Sequence, residues 1–140
     1  MSENHFDILF DEIDQAQKKV RHFLDEHRQE IPHDQIRIQV ELPLISATTD
    51  VVTKKWAVQI LWLLEIKKDV IFNDFIRFFD GISTRSLSET LKVLEEHKLI
   101  TRTVEDVRPP RVHYSLSQKG KGFVELAMLM VFYMNKDELK

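Results

Sequence analysis

The sequence predicts an α+β fold, mostly α, in which a winged helix-turn-helix is flanked by N- and C-terminal helices suited to dimerisation. Three features predict it. Between Ser83 and Lys98, residues Leu87, Leu91, Leu94 and Lys98 fall within about 60° of one another on a helix, while Arg85, Glu89 and Lys92 point the opposite way. The period then changes: Ile100 to Val104 and Arg111 to Leu116 read as short strands, joined through Pro109-Pro110, which cannot donate ladder hydrogen bonds. Finally, both ends of the chain carry helical patterns more apolar than one small core can absorb. A short helix, a tight turn, a second helix and a basic hairpin place the second helix for a DNA major groove.

From the N-terminus, residues 3–29 form an amphipathic helix by pattern. Phe6, Leu9, Phe10, Ile13, Ala16, Val20, Phe23 and Leu24 recur at three- and four-residue steps, with acids early and Lys18, Lys19, Arg21 and Arg28 late, as the helix dipole favours. So wide a stripe needs a partner, either its own domain or a second subunit. Ile31-Pro32 breaks the helix. Ile36 to Leu42 then alternates apolar and polar residues, the pattern of a half-buried strand, which either joins the wing sheet or crosses to another subunit.

A helix is expected from Asp50, or a threonine just before it, to about Ile66. Its polar positions Lys54, Lys55, Gln59 and Glu65 cover only about 140° of the circumference, so it should be central, with Trp56 and Trp62 in the core. Lys67-Lys68-Asp69 reads as a turn and Val70 to Phe72 as a minor strand. Asn73 is placed to cap the helix Asp74–Phe79, the first of the motif. Gly81 suits the left-handed conformation that ends it, and Ser83 is the expected N-cap of the next. Ser117 caps a last helix, from Gln118 to about Asn135, in which Glu125 is the only charge between Phe123 and Met134. With Met128, Met130 and Met134 this helix offers an adaptable helix–helix seam. The expected domains are thus an N-terminal helix-plus-arm extension at 1–45, the winged helix-turn-helix at 46–117 and a dimerisation helix at 118–140.

Composition narrows the function. A chain of 140 residues, 43% hydrophobic and 31% charged, has room for one domain with a real core. The net charge of -3 conceals an uneven spread. Residues 1–49 hold 5 Lys/Arg against 10 Asp/Glu, whereas residues 50–125 hold 13 against 11, which permits DNA binding without demanding it. The absence of cysteine excludes disulfides, thiol redox sensing and thiolate metal sites. No signal-peptide pattern opens the chain, and its longest apolar run, Leu126 to Met134, is too short to cross a bilayer, so a cytoplasmic, non-membrane protein is expected.

The run from Asp50 to Lys121 closely resembles the HxlR-type winged helix-turn-helix transcriptional regulators. DVVTKKWAVQILWLL matches their first helix, FNDF the second, GISTRSLSETLKVLEEHKLITR the reader helix, and PPRVHYSLSQKG the wing and the start of the last helix. The resemblance covers about half the chain; MarR-like and PadR-like regulators share the scaffold. It implies a dimeric, cytoplasmic, prokaryotic regulator of double-stranded DNA. On the matching positions, Ser83, Thr84, Arg85, Ser86, Glu89 and Lys92 would face the groove and phosphates, and Arg108 and Arg111 would lie on the wing. Three departures stand out. The sensing cysteine that many members carry is missing, so that mechanism cannot carry over. Thr90 stands where a basic residue is common, and Glu105 and Asp106 sit at the wing tip; both changes would weaken phosphate contact. Residues 1–45 have no counterpart in the usual short form.

The residue chemistry is compatible with those roles. A guanidinium at Arg85 can fork onto guanine O6 and N7, or remain an ordinary solvated side chain. Lys92 suits a phosphate contact, giving affinity without sequence choice. Glu89 can accept from a cytosine amino group or pair with Arg85 on a solvent face. Ser83, Ser86 and Ser88 suit phosphate or water-bridged contacts, although serine is common at helix starts. Arg102, Arg108 and Arg111 read as wing-to-backbone contacts, with the sheet's outer face equally open to Arg102. Tyr114 and Leu116 read as core.

Catalysis has little support. With three glycines there is no phosphate-binding loop, no serine occupies a nucleophile elbow, and the six histidines form no HExxH or i,i+4 pair. Neither cofactor nor metal is expected, and no small-molecule effector can be named. The rival class is a winged helix used as a protein-interaction module without specific DNA binding, which the acidic wing tip and low basicity keep open. Salt-dependent binding to duplex DNA separates the two.

Overall fold

The computed structural model describes residues 4–30 and 34–139. In chain order the elements are α1 (His5–Glu30), α2 (Asp34–Val52), α3 (Ala57–Lys67), β1 (Val70–Ile71), α4 (Phe72–Phe78), α5 (Thr84–Glu96), β2 (Ile100–Glu105), β3 (Arg111–Leu116), α6 (Gln118–Met134) and α7 (Lys136–Leu139). Mostly α with one small antiparallel sheet, this is the α+β class expected. Two compact units result: Ala47–Ala127, and Met1–Ser46 with Met128–Lys140.

The unit of residues 47–127 is organised by its apolar periodicity. Ile60, Leu61 and Leu64 of α3, Phe75 of α4, and Leu87, Leu91 and Leu94 of α5 are essentially inaccessible. The sheet runs β1-β3-β2, all antiparallel, with Val70 opposite Tyr114 and Ile100 opposite Leu116. Tyr114 turns inward and meets the Phe75 ring edge-on at 5.9 Å. Thus the minor strand expected at Val70 exists, and it fixes the hairpin to the helices.

The joints follow from local chemistry. Gly81 takes φ +82°, a conformation that glycine adopts without a Cβ penalty. Ser83 caps α5, its hydroxyl accepting from Ser86 N–H at 3.0 Å. The far end of α5 closes through Lys98 N–H to Glu95 C=O and Leu99 N–H to Leu94 C=O, the Schellman pattern, with Lys98 rather than glycine at φ 60°. Ser117 then links three elements: its hydroxyl donates to Lys98 C=O at 2.6 Å and accepts from Gly120 N–H at 3.0 Å, while its N–H donates to Leu99 C=O. Gly120 lies so close to that carbonyl that a Cβ would stand 1.8 Å from the oxygen.

Several expectations need correction. Residues 36–42 are not a strand but part of α2. A strand requires a neighbour to take its backbone hydrogen bonds, whereas a helix satisfies them internally. Arg37 Nε reinforces it, donating to both carboxylate oxygens of Glu41 one turn on, at 3.0 and 3.2 Å. The helix expected from Asp50 begins instead at Ala57. The β-branched run Val51-Val52-Thr53 ends α2, and bonds of the i to i−3 type, Lys54 N–H to Val51 C=O and Ala57 N–H to Lys54 C=O, turn the chain. Trp56 consequently precedes α3, its ring tilted against that of Phe79 with centroids 5.6 Å apart, and Trp62 is 41% exposed rather than core. Asn73 is not a cap: α4 starts at Phe72, behind Ile71 and without a side-chain cap. The break expected at Ile31-Pro32 lies outside the described residues.

In the other unit, Phe6 of α1 contacts Phe10 and Phe132 at 6.4 and 5.9 Å, and Lys136 Nζ sits 5.3 Å over the Phe10 ring. His27 Nε2 reaches Glu41 at 3.1 Å and so ties α1 to α2. Beyond Phe10 and Ile13 little apolar surface is covered there among the described residues.

Candidate nucleic-acid interface

Helix α5 presents its sides as the leucine spacing requires. Leu87, Leu91 and Leu94 lie inside, and Ser83, Thr84, Arg85, Ser88, Glu89 and Lys92 lie outside. Ser86 is half-buried: its N–H serves the Ser83 cap and its C=O accepts from Thr90 Oγ1 at 2.7 Å. Arg85 and Glu89 form an ion pair, Nε to Oε1, at 3.0 Å, with the arginine side chain 89% exposed. Such a solvated pair contributes little to stability, and it holds the guanidinium over the first turns of α5.

Thr90 requires a different reading from the one its sequence position suggested. It is only 4% exposed, and its hydroxyl is spent on the preceding turn, so this position faces the protein and not a phosphate. Its departure from the common basic residue therefore removes no surface contact.

On the hairpin, Arg102 is exposed opposite Tyr114, Arg111 is exposed opposite Glu105, and Arg108 is exposed in the connecting turn. The three arginines thus stand on one hairpin with α5, in the unit of residues 47–127. Leu116 is half-buried rather than fully enclosed.

Glu105 is not a free wing-tip charge. His113 lies between two acids, its Nε2 at 2.7 Å from Glu105 Oε2 and its Nδ1 at 3.2 Å from both carboxylate oxygens of Asp69. The hydrogen bond to Glu105 is the main cause of a pKa held above the usual histidine value; partial burial opposes it, and Asp69 adds to it. Sequence reasoning missed this cluster because its members are far apart in the chain. The signal that could have found it was a histidine on the outward phase of one hairpin strand with an acid, Glu105, near the end of the other.

Comparison with known proteins follows the same outline. The HxlR-like helix-turn-helix family profile matches residues 51–137. MalR of Fusobacterium mortiferum, described as regulatory, is 37% identical over 76 residues, covering 54% of this chain and 72% of MalR. The HTH-type transcriptional regulator YvaP of Bacillus subtilis, itself uncharacterised, is 31% identical over 84 residues, or 60% of this chain and 77% of YvaP. Among solved structures, the reduced form of the redox regulator HypR superposes with a TM-score of 0.56 at 32% identity, over 68% of this chain and 95% of that one. Residues 1–50 fall outside the family match.

Proposed function

Because the chain belongs to the HxlR-like helix-turn-helix family and is a DNA-binding transcriptional regulator, we propose that two copies read a pseudo-palindromic operator, each with α5 in a major groove and its hairpin on the adjacent backbone. The outward set Arg85, Glu89 and Lys92 on a helix whose opposite edge is fully buried supports this reading most directly. Arg85 forks onto a guanine edge or passes that role to its partner Glu89, which accepts from a cytosine amino group. Lys92, Ser83, Thr84, Ser86 and Ser88 hold phosphates, and Arg102, Arg108 and Arg111 extend the contact along the backbone.

Dimerisation is supported by apolar side chains left open on the terminal helices. Val20 and Phe23 of α1, Ile38 and Leu44 of α2, and Met130 and Met134 of α6 are each more than half exposed. An apolar surface of that extent marks an interaction site, and a symmetric pair of such surfaces closes it. The likeness to a redox regulator does not extend to mechanism, since this cysteine-free chain has no thiol to carry the signal. The fitting location is the cytoplasm, and the fitting action is occlusion or opening of a promoter rather than catalysis.

Fluorescence anisotropy of the full chain against selected and random duplexes tests the proposal. Tighter binding to the selected duplex, falling steeply between about 50 and 200 mM salt, is expected; binding to neither duplex would overturn it.

A further inference from the structure

The His113 cluster joins three segments that sequence keeps apart: the turn before β1 through Asp69, the end of β2 through Glu105, and β3 itself. The geometry restricts its charge. A neutral imidazole has one N–H donor and one lone pair, so with a carboxylate oxygen at each ring nitrogen, one contact would set lone pair against lone pair. Only the doubly protonated ring donates to both. The two acids approach different nitrogens and do not converge on one point, and no metal-holding group of three or more such side chains occurs among the described residues.

Among the described residues, the ion pairs of Glu105 and Asp69 that the structure shows are both to His113. On the sheet, His113 is flanked by Ile71 of β1 and Thr103 of β2, neither of them charged. Arg111, two residues back on β3, stands opposite Glu105, and Tyr114 next to it packs against Phe75. Lys68, beside Asp69, is engaged with Glu65 at 3.3 Å. Residues 101–116 carry Arg102, Arg108 and Arg111 against Glu105 and Asp106, so the hairpin bears +1 with His113 neutral and +2 with it charged.

We infer that His113 makes the wing, and with it the grip on DNA phosphates, sensitive to pH: charged, it masks Glu105 and Asp69 and clamps the hairpin to β1; neutral, it releases one carboxylate and halves the hairpin's net positive charge. This rests on the reading of the hairpin as a wing lying on the DNA backbone. A proton held more tightly when phosphates are near is taken up on binding, so affinity must fall as pH rises through the titration of His113. The clamp's contribution to stability has the same sign. It is complete below the histidine's unfolded pKa and lost as pH rises through the higher folded value.

The test is anisotropy of the full chain on a random duplex at constant ionic strength, from about pH 5.5 to 8.5, spanning the histidine range. The parent should lose roughly three- to tenfold in affinity across that range, a shift of up to about half a pKa unit in each of the two subunits' histidines between free and bound forms. His113→Gln should flatten the profile even though the other five histidines remain. His113→Arg should hold the acidic-pH affinity throughout. Glu105→Gln should move the histidine's NMR titration to lower pH. A His113→Gln profile as steep as the parent's would overturn the inference and leave the DNA reading standing. Absence of salt-dependent binding at every pH would overturn both.

Discussion

The unit of residues 47–127 and the unit formed by the chain ends treat apolar side chains in opposite ways. In the first, α3, α4, α5 and the sheet enclose a continuous core from Val51 to Ala127, with Phe75, Ile60, Leu61, Leu87 and Leu94 essentially inaccessible. In the second, Phe10 and Ile13 are the buried hydrophobics among the described residues, while Leu44 is 69% and Met134 80% exposed. One encloses its own core beneath the outward side of α5; the other leaves much of its apolar surface exposed, which is where the proposed pairing would act. Affinity for DNA and assembly into pairs should therefore respond to different substitutions.

The contrast can be broken most forcefully at Phe75. Phe75→Ala should cost about 3–5 kcal/mol in urea or thermal unfolding, because the void beside the Phe79 and Tyr114 rings is fully enclosed. A loss under about 1 kcal/mol, an ordinary surface effect, would mean that this core is not enclosed.

Phe23→Asp on the exposed side of α1 tests the other region. It should weaken self-association roughly ten- to thirtyfold by analytical ultracentrifugation, the effect of removing one interface anchor. The folded chain has little contact there to lose, so far-UV circular dichroism should be unchanged. Unaltered association would move the interface elsewhere.

On the presenting surface the effects become smaller and more selective. Arg85→Ala should cost about 1–3 kcal/mol of discrimination at one base pair in each half-site. Lys92→Ala should weaken all duplexes alike and lower the salt slope by about 1. If both variants keep the parent's preference and slope, the assignment of α5 residues is wrong.

The smallest expected change is a gain. Lys98 is held at φ 60° by the Schellman closure of α5, a conformation that disfavours a Cβ. Lys98→Gly should stabilise the 47–127 unit by about 0.5–1 kcal/mol, part of the relief being offset by the greater freedom of glycine in the unfolded chain. Destabilisation would show that the lysine side chain has a packing role.

The same contrast explains what the sequence disclosed. Where leucines repeat at helical spacing and meet a core, as at Leu87, Leu91 and Leu94, the periodicity named both the element and its buried side. The capping serines 83 and 117 and the left-handed Gly81 were legible too, because each answers a need of the adjacent backbone. Reading failed where pattern and partner separated. Ile36, Ile38, Val40 and Leu42 alternate as a strand would, but period two on a helix scatters side chains to opposite sides, and all of them remain exposed. Thr90 looked like a surface position by resemblance and proved buried. Of the candidate site, the outward side of α5 was legible from spacing alone. The pairing of Glu105 and Asp69 with His113 was not, since it depends on strand register and on a turn 44 residues away.

A hydroxyl-radical footprint of the full chain on an operator selected from random duplex tests the central claim most directly. Two symmetric protected patches, their centres about one helical turn or a small multiple of it apart, are expected, with Arg85→Ala losing contact at one base pair in each. A single unpaired patch, or two that survive Arg85→Ala and Lys92→Ala without change, would contradict it.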